Sequence, residues 1–375
     1  MESGSSLKDE LFNKKRVEYL ASLLQAVDKN FATKEFVQAV VRRFPELELK
    51  ARISWIAEVL EQYVPSDPCA AMRHIVAALP SPLDPTKTDD DFGEFILAPF
   101  GEYVVRNGLT KQYLKQSLMT LREITMRFSM EDAMRSFLTT FPEETLAAYD
   151  VWVNDKNYHV RRLVSESTRP LLPWSRRLSL DYKAPLRYLD VLYADNTRYV
   201  TRSVANHLND ISKRDSELVL STLARWKAEG KQDSKELAWM TRHALRTLTK
   251  QGHKQALEMI GYFDNIEIRV IDFSIKTSSN VKMDDRVSFA AEIEVVGEGN
   301  LRIDYVIDFV KKNGQTAPKV FSWKKINVTS GEMISLSKSH HLKADATTFR
   351  LYPGRHSVTL LINGKSYTSF VFDLG

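Results

Sequence analysis

The run DKNYHVRRLVSES, beginning at Asp155, recurs as DNTRYVTRSVANH beginning at Asp195. Asp155 falls on Asp195, Val160 on Val200, Arg162 on Arg202 and Val164 on Val204. A weaker third copy, WMTRHALRTL, puts Met240, Arg242 and Ala244 in the same register. A period of about 40 residues is the length of a HEAT-type helical pair. One such pair cannot bury its apolar face alone, so pairs stack into a solenoid with a concave face.

Helical spacing extends well beyond the repeat. Between about residues 8 and 262, VEYLASLLQAV, EFVQAVVRRF, ARISWIAEVLEQYV and MRHIVAAL carry apolar residues three and four apart. In TTFPEETLAAYDVWV, Pro142 suits a first helical position and the acids after it suit a helix N-terminus. Past residue 264 the period drops to two. IEIRVIDFSIK, VSFAAEIEVV, LRIDYVIDFV, KVFSWKKINV, HSVTLLIN and YTSFVFDL alternate, with GEGN, KKNGQ, YPGRH and INGKS as turn signals. NGK at 363–365 marks a hairpin. Roughly six or seven short strands predict an immunoglobulin-like sandwich, without the Cys…Trp…Cys core of an antibody domain. The fold class is therefore mainly α: a HEAT-like solenoid over residues 1–263, then a smaller all-β sandwich over 264–375.

Lysine and arginine total 53 against 48 aspartates and glutamates, a net charge of +5. That suits a polyanionic partner without proving one. Cys69 is the single cysteine. No intrachain disulfide can form, and a reducing cytoplasm is the natural compartment. No apolar run approaches the ~18 residues of a membrane span. MESGSSLKDELFNKKR lacks the apolar core of a signal peptide, and its Gly/Ser start reads as a floppy end. The histidines are scattered, and His340-His341 are adjacent rather than at ligand spacing. Neither a phosphate-cradling glycine loop nor a GxSxG elbow is found. No metal, no cofactor and no membrane partner are expected, and the core suffices for a monomer.

The repeat also says where its charges go. Val160 and Val164 share the core face, so Arg162 between them should point off it. Arg162, Arg202 and Arg242 then form a row along the inner surface. The plain reading is a solvated, salt-bridged face. The sharper one is a stripe that tracks phosphates. Glu166 takes the slot of Asn206, and Asp210 lies four residues beyond Asn206 on the same side. An acid facing a phosphate groove is unfavourable unless the ligand also carries a positive centre.

SMEDAMRSFL, HVRRLVSESTRPLLPW and YVTRSVANHLND resemble the AlkC branch of the AlkC/AlkD superfamily of bacterial DNA alkylation repair glycosylases. VKKNGQTAPKVF and YPGRH resemble the immunoglobulin-like C-terminal domain that some members carry. The resemblance therefore spans nearly the whole chain. It implies a base excision repair enzyme acting on double-stranded DNA. That enzyme cuts the N-glycosidic bond of cationic bases, chiefly N3-methyladenine and N3-methylcytosine, without turning the base into a deep pocket. Residue by residue it implies a catalytic set of Glu131, Glu166, Trp174 and Asp210. Arg135-Ser136-Phe137 stands where the family often has Arg-Pro-Phe, and the stretch from Trp174 to Asp210 is slightly shortened.

The implied chemistry is simple. An N3-alkylated base is already cationic and leaves without a general acid. What remains is an oxocarbenium-like sugar, which a preplaced carboxylate stabilises. Asp210 is expected to position the water, Glu166 and Glu131 to flank the lesion, and Trp174 to wall the sugar. Arg161, Arg162, Arg169, Arg202, Arg242 and His207 are expected at the DNA, with Lys312, Asn313 and Arg355 reaching it from the sandwich. Each acid has a plainer reading. Glu131 could serve a helix dipole, Glu166 could pair with Arg162, and Asp210 could cap a turn; Trp174 could be ordinary core. The rival from another class is a non-catalytic solenoid scaffold for DNA or protein, which would have no use for acids among its arginines.

Overall fold

The computed structural model describes residues 6–89, 91–344 and 350–375. The Gly/Ser start read as floppy lies, as far as Ser5, outside the described residues. Helix follows helix from Leu7 to Met259, and strands fill the chain from Ile268 to Leu374. Two compact units result: Met1–Ile211 with Trp226–Met240, and Ser212–Arg225 with Thr241–Gly375.

In the first unit the local signals act as expected. Pro142 opens helix Pro142–Trp152, with Glu143 and Glu144 in its first turn. Asn157 caps helix Tyr158–Ser167 by accepting from the His159 amide. That helix packs against Leu114–Thr125, Glu131–Thr140, Pro142–Trp152, Leu186–Leu192 and Arg198–Ile211. Neighbours on every side bury nine of its ten residues, Arg161 being the exception. The expectation that Arg162 points away from the core is thus corrected. The helix has no solvent face for it, and its charges are satisfied by partners inside the fold.

The second unit holds two sheets. The strands are β1 (Ile268–Ile275), β2 (Asn280–Val281), β3 (Arg286–Val295), β4 (Gly299–Val310), β5 (Thr316–Val328), β6 (Met333–His341), β7 (Gly354–Ile362) and β8 (Lys365–Leu374). One sheet runs β1-β3-β6 and the other β2-β8-β7-β4-β5. In place of a disulfide, an aromatic cluster fills the core. Phe289 lies 5.1 Å from Tyr305 and 5.2 Å from Trp323, ring centre to ring centre. Asn363 and Gly364, both at positive φ, make the β7–β8 hairpin. A Cβ on Gly364 would stand 2.6 Å from the Gly252 carbonyl oxygen, so the helical residues of this unit fit closely against the turn. The alternation that the sequence reading passed over is β6, MISLSKSHH. Its apolar positions are few because most of its residues are only half-buried or exposed.

Candidate active site

The aspartates that head the repeats do two jobs each. Asp155 Oδ1 accepts from the Asn157 amide at 2.8 Å, while its Oδ2 takes Arg122 Nε at 2.8 Å from the preceding repeat. Asp195 Oδ1 accepts from the Thr197 amide at 2.9 Å, and its carboxylate takes the fork of Arg161. Arg161 also donates to the carbonyls of Asp155 and Lys156. It was expected at phosphates; its donors instead tie one repeat to the next.

Inside these ties the structure brings Glu166, Arg162, Arg169 and Asp210 together. Arg169 Nη1 lies 2.7 Å from Glu166 Oε1, and its Nε lies 3.0 Å from Asp210 Oδ2. Ser203 Oγ donates to Glu166 Oε2 at 2.6 Å. Arg162 approaches Glu166 Oε1 at 3.6 Å, donates to Ser129 Oγ at 2.8 Å, and lies over the Tyr199 ring at 4.3 Å. All four side chains are buried. Burial opposes the charge on Glu166, but Arg162 and Arg169, aided by the Ser203 hydroxyl, hold its carboxyl below the ordinary value. Burial likewise opposes the charge on Arg169, but Glu166 and Asp210 raise it. The expected placement of Arg162 in an open phosphate row, and of Arg169 at the DNA, is therefore corrected, because both guanidiniums are held by acids within the fold.

Glu131 opens helix Glu131–Thr140 and is half-buried. Its Oε2 is shut from solvent and has no hydrogen-bond partner among the described residues. Its charge is felt at both Arg162 and Tyr199. Glu131, Glu166 and Asp210 thus set three carboxylates around the guanidiniums of Arg162 and Arg169. In a low-dielectric setting carboxylates interact strongly with any cation brought beside them.

Trp174 stands apart from any core, 89% exposed and with φ of 66°. A left-handed backbone costs a non-glycine residue about 1–2 kcal/mol, and it persists where the surroundings over-determine it. Here they do. Ser175 Oγ donates to Asp132 Oδ1 at 2.6 Å, Lys50 lies 3.6 Å from Asp132 Oδ2, and Lys50 also donates to the Trp174 carbonyl. From beneath, buried Arg135 donates to the carbonyls of Ser167, Arg169 and Arg176.

The remaining expected DNA residues separate. His207 is fully buried, with Nδ1 3.1 Å from the Ser165 carbonyl; burial lowers its pKa to about 4, so it is neutral and away from the surface. That placement corrects its expected contact with DNA: helix Arg198–Ile211 is itself enclosed, and position 207 faces its interior. Arg202 is partly exposed and pairs with Asp89, from a segment that also gives the Thr88 carbonyl to the Tyr199 amide at 2.8 Å. Phe92 of the same segment meets the edge of Tyr199. Arg242 is exposed on helix Ser234–Ala244 and belongs to the second unit. So do Lys312 and Asn313, exposed in the β4–β5 turn, and Arg355, exposed on β7. Asn313 Oδ1 holds that turn by accepting from the Gln315 amide.

Sequence reasoning missed Arg135, Ser203, Tyr199 and the Asp89 segment. Ser203 carried a faint signal, because it replaces Leu163 of the aligned copy with a hydroxyl. The others act through partners distant in the chain, and no local pattern reveals them. Among the described residues no group of histidine, cysteine, aspartate and glutamate is placed to hold a metal, and no helix is long and apolar enough to cross a membrane.

Residues 269–375 match the family described as the uncharacterised protein YhaZ, C-terminal Ig-like domain. Over 369 residues the chain is 31% identical to the uncharacterized protein YhaZ of Bacillus subtilis, covering 97% of this chain and 98% of that one. It superposes with a TM-score of 0.82 and 34% identity on the alkylpurine DNA glycosylase AlkC of Pseudomonas fluorescens, a structure bound to DNA containing an abasic site analogue. The match covers 99% of this chain and all of the other. With helical repeats, sandwich and both relatives matched from end to end, the chain belongs to the AlkC family.

Proposed function

We propose that the protein is a monomeric DNA glycosylase of the bacterial cytoplasm. It hydrolyses the N-glycosidic bond of cationic alkylated bases, N3-methyladenine and N3-methylcytosine, in double-stranded DNA. The observation that carries this is the end-to-end likeness to an alkylpurine DNA glycosylase bound to DNA with an abasic site analogue. The carboxylates of Glu131, Glu166 and Asp210 also support it, because a cationic leaving group and an oxocarbenium-like sugar are species that preplaced carboxylates stabilise.

In this reading residues 1–263 bind and cut, and the sandwich of 264–375 clamps DNA through Lys312, Asn313 and Arg355. Asp210, oriented by Arg169, directs water at C1′; Glu166 and Glu131 complete the negative wall, and Trp174 lies against the sugar. Arg202 and Arg242 face the phosphates. The base departs as a neutral molecule once its bond to C1′ breaks, so no acid protonates it and it need not leave the stack. Release of N3-methyladenine from alkylated DNA by wild-type protein and by Asp210→Asn tests the reading. An Asp210→Asn rate equal to wild type would remove Asp210 from its role, and no release by either protein would remove the activity.

A further inference from the structure

Arg135 lies outside the acid cluster, is 2% exposed, and has no carboxylate within ion-pair distance among the described residues. A buried guanidinium usually sits against an acid. This one is satisfied by main-chain carbonyls: Ser167 and Arg169 at 2.9 Å each from Nη1, and Arg176 at 2.8 Å from Nε. Those carbonyls bracket the irregular segment that leaves helix Tyr158–Ser167 and carries Trp174. Ser167 directly follows Glu166. The same cation thus closes the last turn of the helix that bears the acid and fixes the far end of the segment that bears the tryptophan. On the outer side, Lys50, Asp132 and Ser175 fasten the residues next to the ring. Asp132 and Arg135 lie on one helix, three residues apart, so inner and outer fastenings share a rigid base.

The geometry points to Arg135 as the positioning residue for Trp174: together with the Lys50–Asp132–Ser175 bracket, it holds the exposed ring, in its left-handed backbone, at a fixed offset from Glu166. This rests on the reading above for what Trp174 does, and not for how it is held. Lysine at 135 keeps the charge but has a single donor atom, which cannot span three carbonyls as the planar fork does.

The test uses the full-length chain and two variants: Arg135→Lys, and Asp132→Asn on the exposed bracket, where folding is not at stake. Two readouts are taken. The first is the fluorescence anisotropy of Trp174, obtained as the difference from a Trp174→Phe protein. The second is the single-turnover release of N3-methyladenine, measured in wild-type and Trp174→Ala backgrounds. Both variants are expected to lower the anisotropy. Arg135→Lys is expected to slow release by on the order of 10²-fold, the effect of misplacing a group by about 1 Å. It should add nothing once Trp174 is alanine, because the two residues act as one unit. Unchanged anisotropy in both variants overturns the proposal, as does an equal fractional loss in the Trp174→Ala background. If Trp174→Ala releases base at the wild-type rate, the sugar-wall role of Trp174 falls, and the anisotropy still decides whether Arg135 holds the ring.

Discussion

Arg169 joins Glu166 to Asp210. One guanidinium reaches the first at 2.7 Å and the second at 3.0 Å, across 41 residues of chain, with all three side chains buried. The two acids are therefore a coupled pair set by one cation.

Removing that cation takes from two buried carboxylates the partner they share. Arg169→Gln is expected to destabilise the first unit by about 3–5 kcal/mol, the usual cost of breaking a buried ion pair by deleting one partner. Urea unfolding followed by circular dichroism measures it. A loss below 1 kcal/mol, the scale of surface pairs, would show that the acids find other partners.

Ser203→Ala removes one of the interactions that keep Glu166 ionised. The carboxyl pKa is expected to rise, and the acid limb of the pH–rate profile for base release should move to higher pH. Stability should drop by about 1.5–3 kcal/mol, as for a hydrogen bond to a charged group. A profile that stays in place would mean that Glu166 does not govern that limb.

Stability itself should fall on acidification. His159 and His207 are held by burial at a pKa of about 4, against an ordinary value of 6.5. Between those values the unfolded chain takes up protons that the folded chain refuses, so folding weakens as pH drops from about 6.5 to 4. Glu166 adds to the loss at the lower end: its depressed pKa stabilises the fold above the ordinary carboxylate value and ceases to as pH passes below its folded value. Urea midpoints across this window check the slope, which His207→Gln should flatten.

Asp89 pairs with Arg202, the partly exposed arginine of the repeat. Asp89→Asn is expected to tighten binding to undamaged duplex DNA by up to about fivefold, the equivalent of a 0–1 kcal/mol surface pair. Fluorescence anisotropy at low salt measures it. Weaker binding would mean that the Asp89 segment orders Arg202 for DNA rather than competing for it.

Much of this architecture was legible in the chain. The switch from a period of three and four to a period of two shows in the side chains themselves, as do Pro142 at its helix start and Asn363-Gly364 at its hairpin. The acids of the candidate site were legible through their resemblance to a family. Their surroundings were not. Arg162 looked solvated because a charge satisfied by Glu166, Ser129 and the Tyr199 face is indistinguishable, in sequence, from one satisfied by water. Arg135 stood out only as part of a family motif, and its role gave no sign because its partners are main-chain carbonyls, which every residue possesses.

The two-oxygen use of Asp195 has a consequence for how such a chain can vary. One oxygen marks where its helix begins and the other takes Arg161 of helix Tyr158–Ser167 in the preceding repeat. The aspartate therefore works as an index mark. Additions or losses of chain upstream of it, in the stretch after Trp174, leave the hand-over between neighbouring turns in phase. A single residue inserted between Asp195 and Thr197 would put both settings out of step at once, so tolerance to length change should alternate sharply along each repeat.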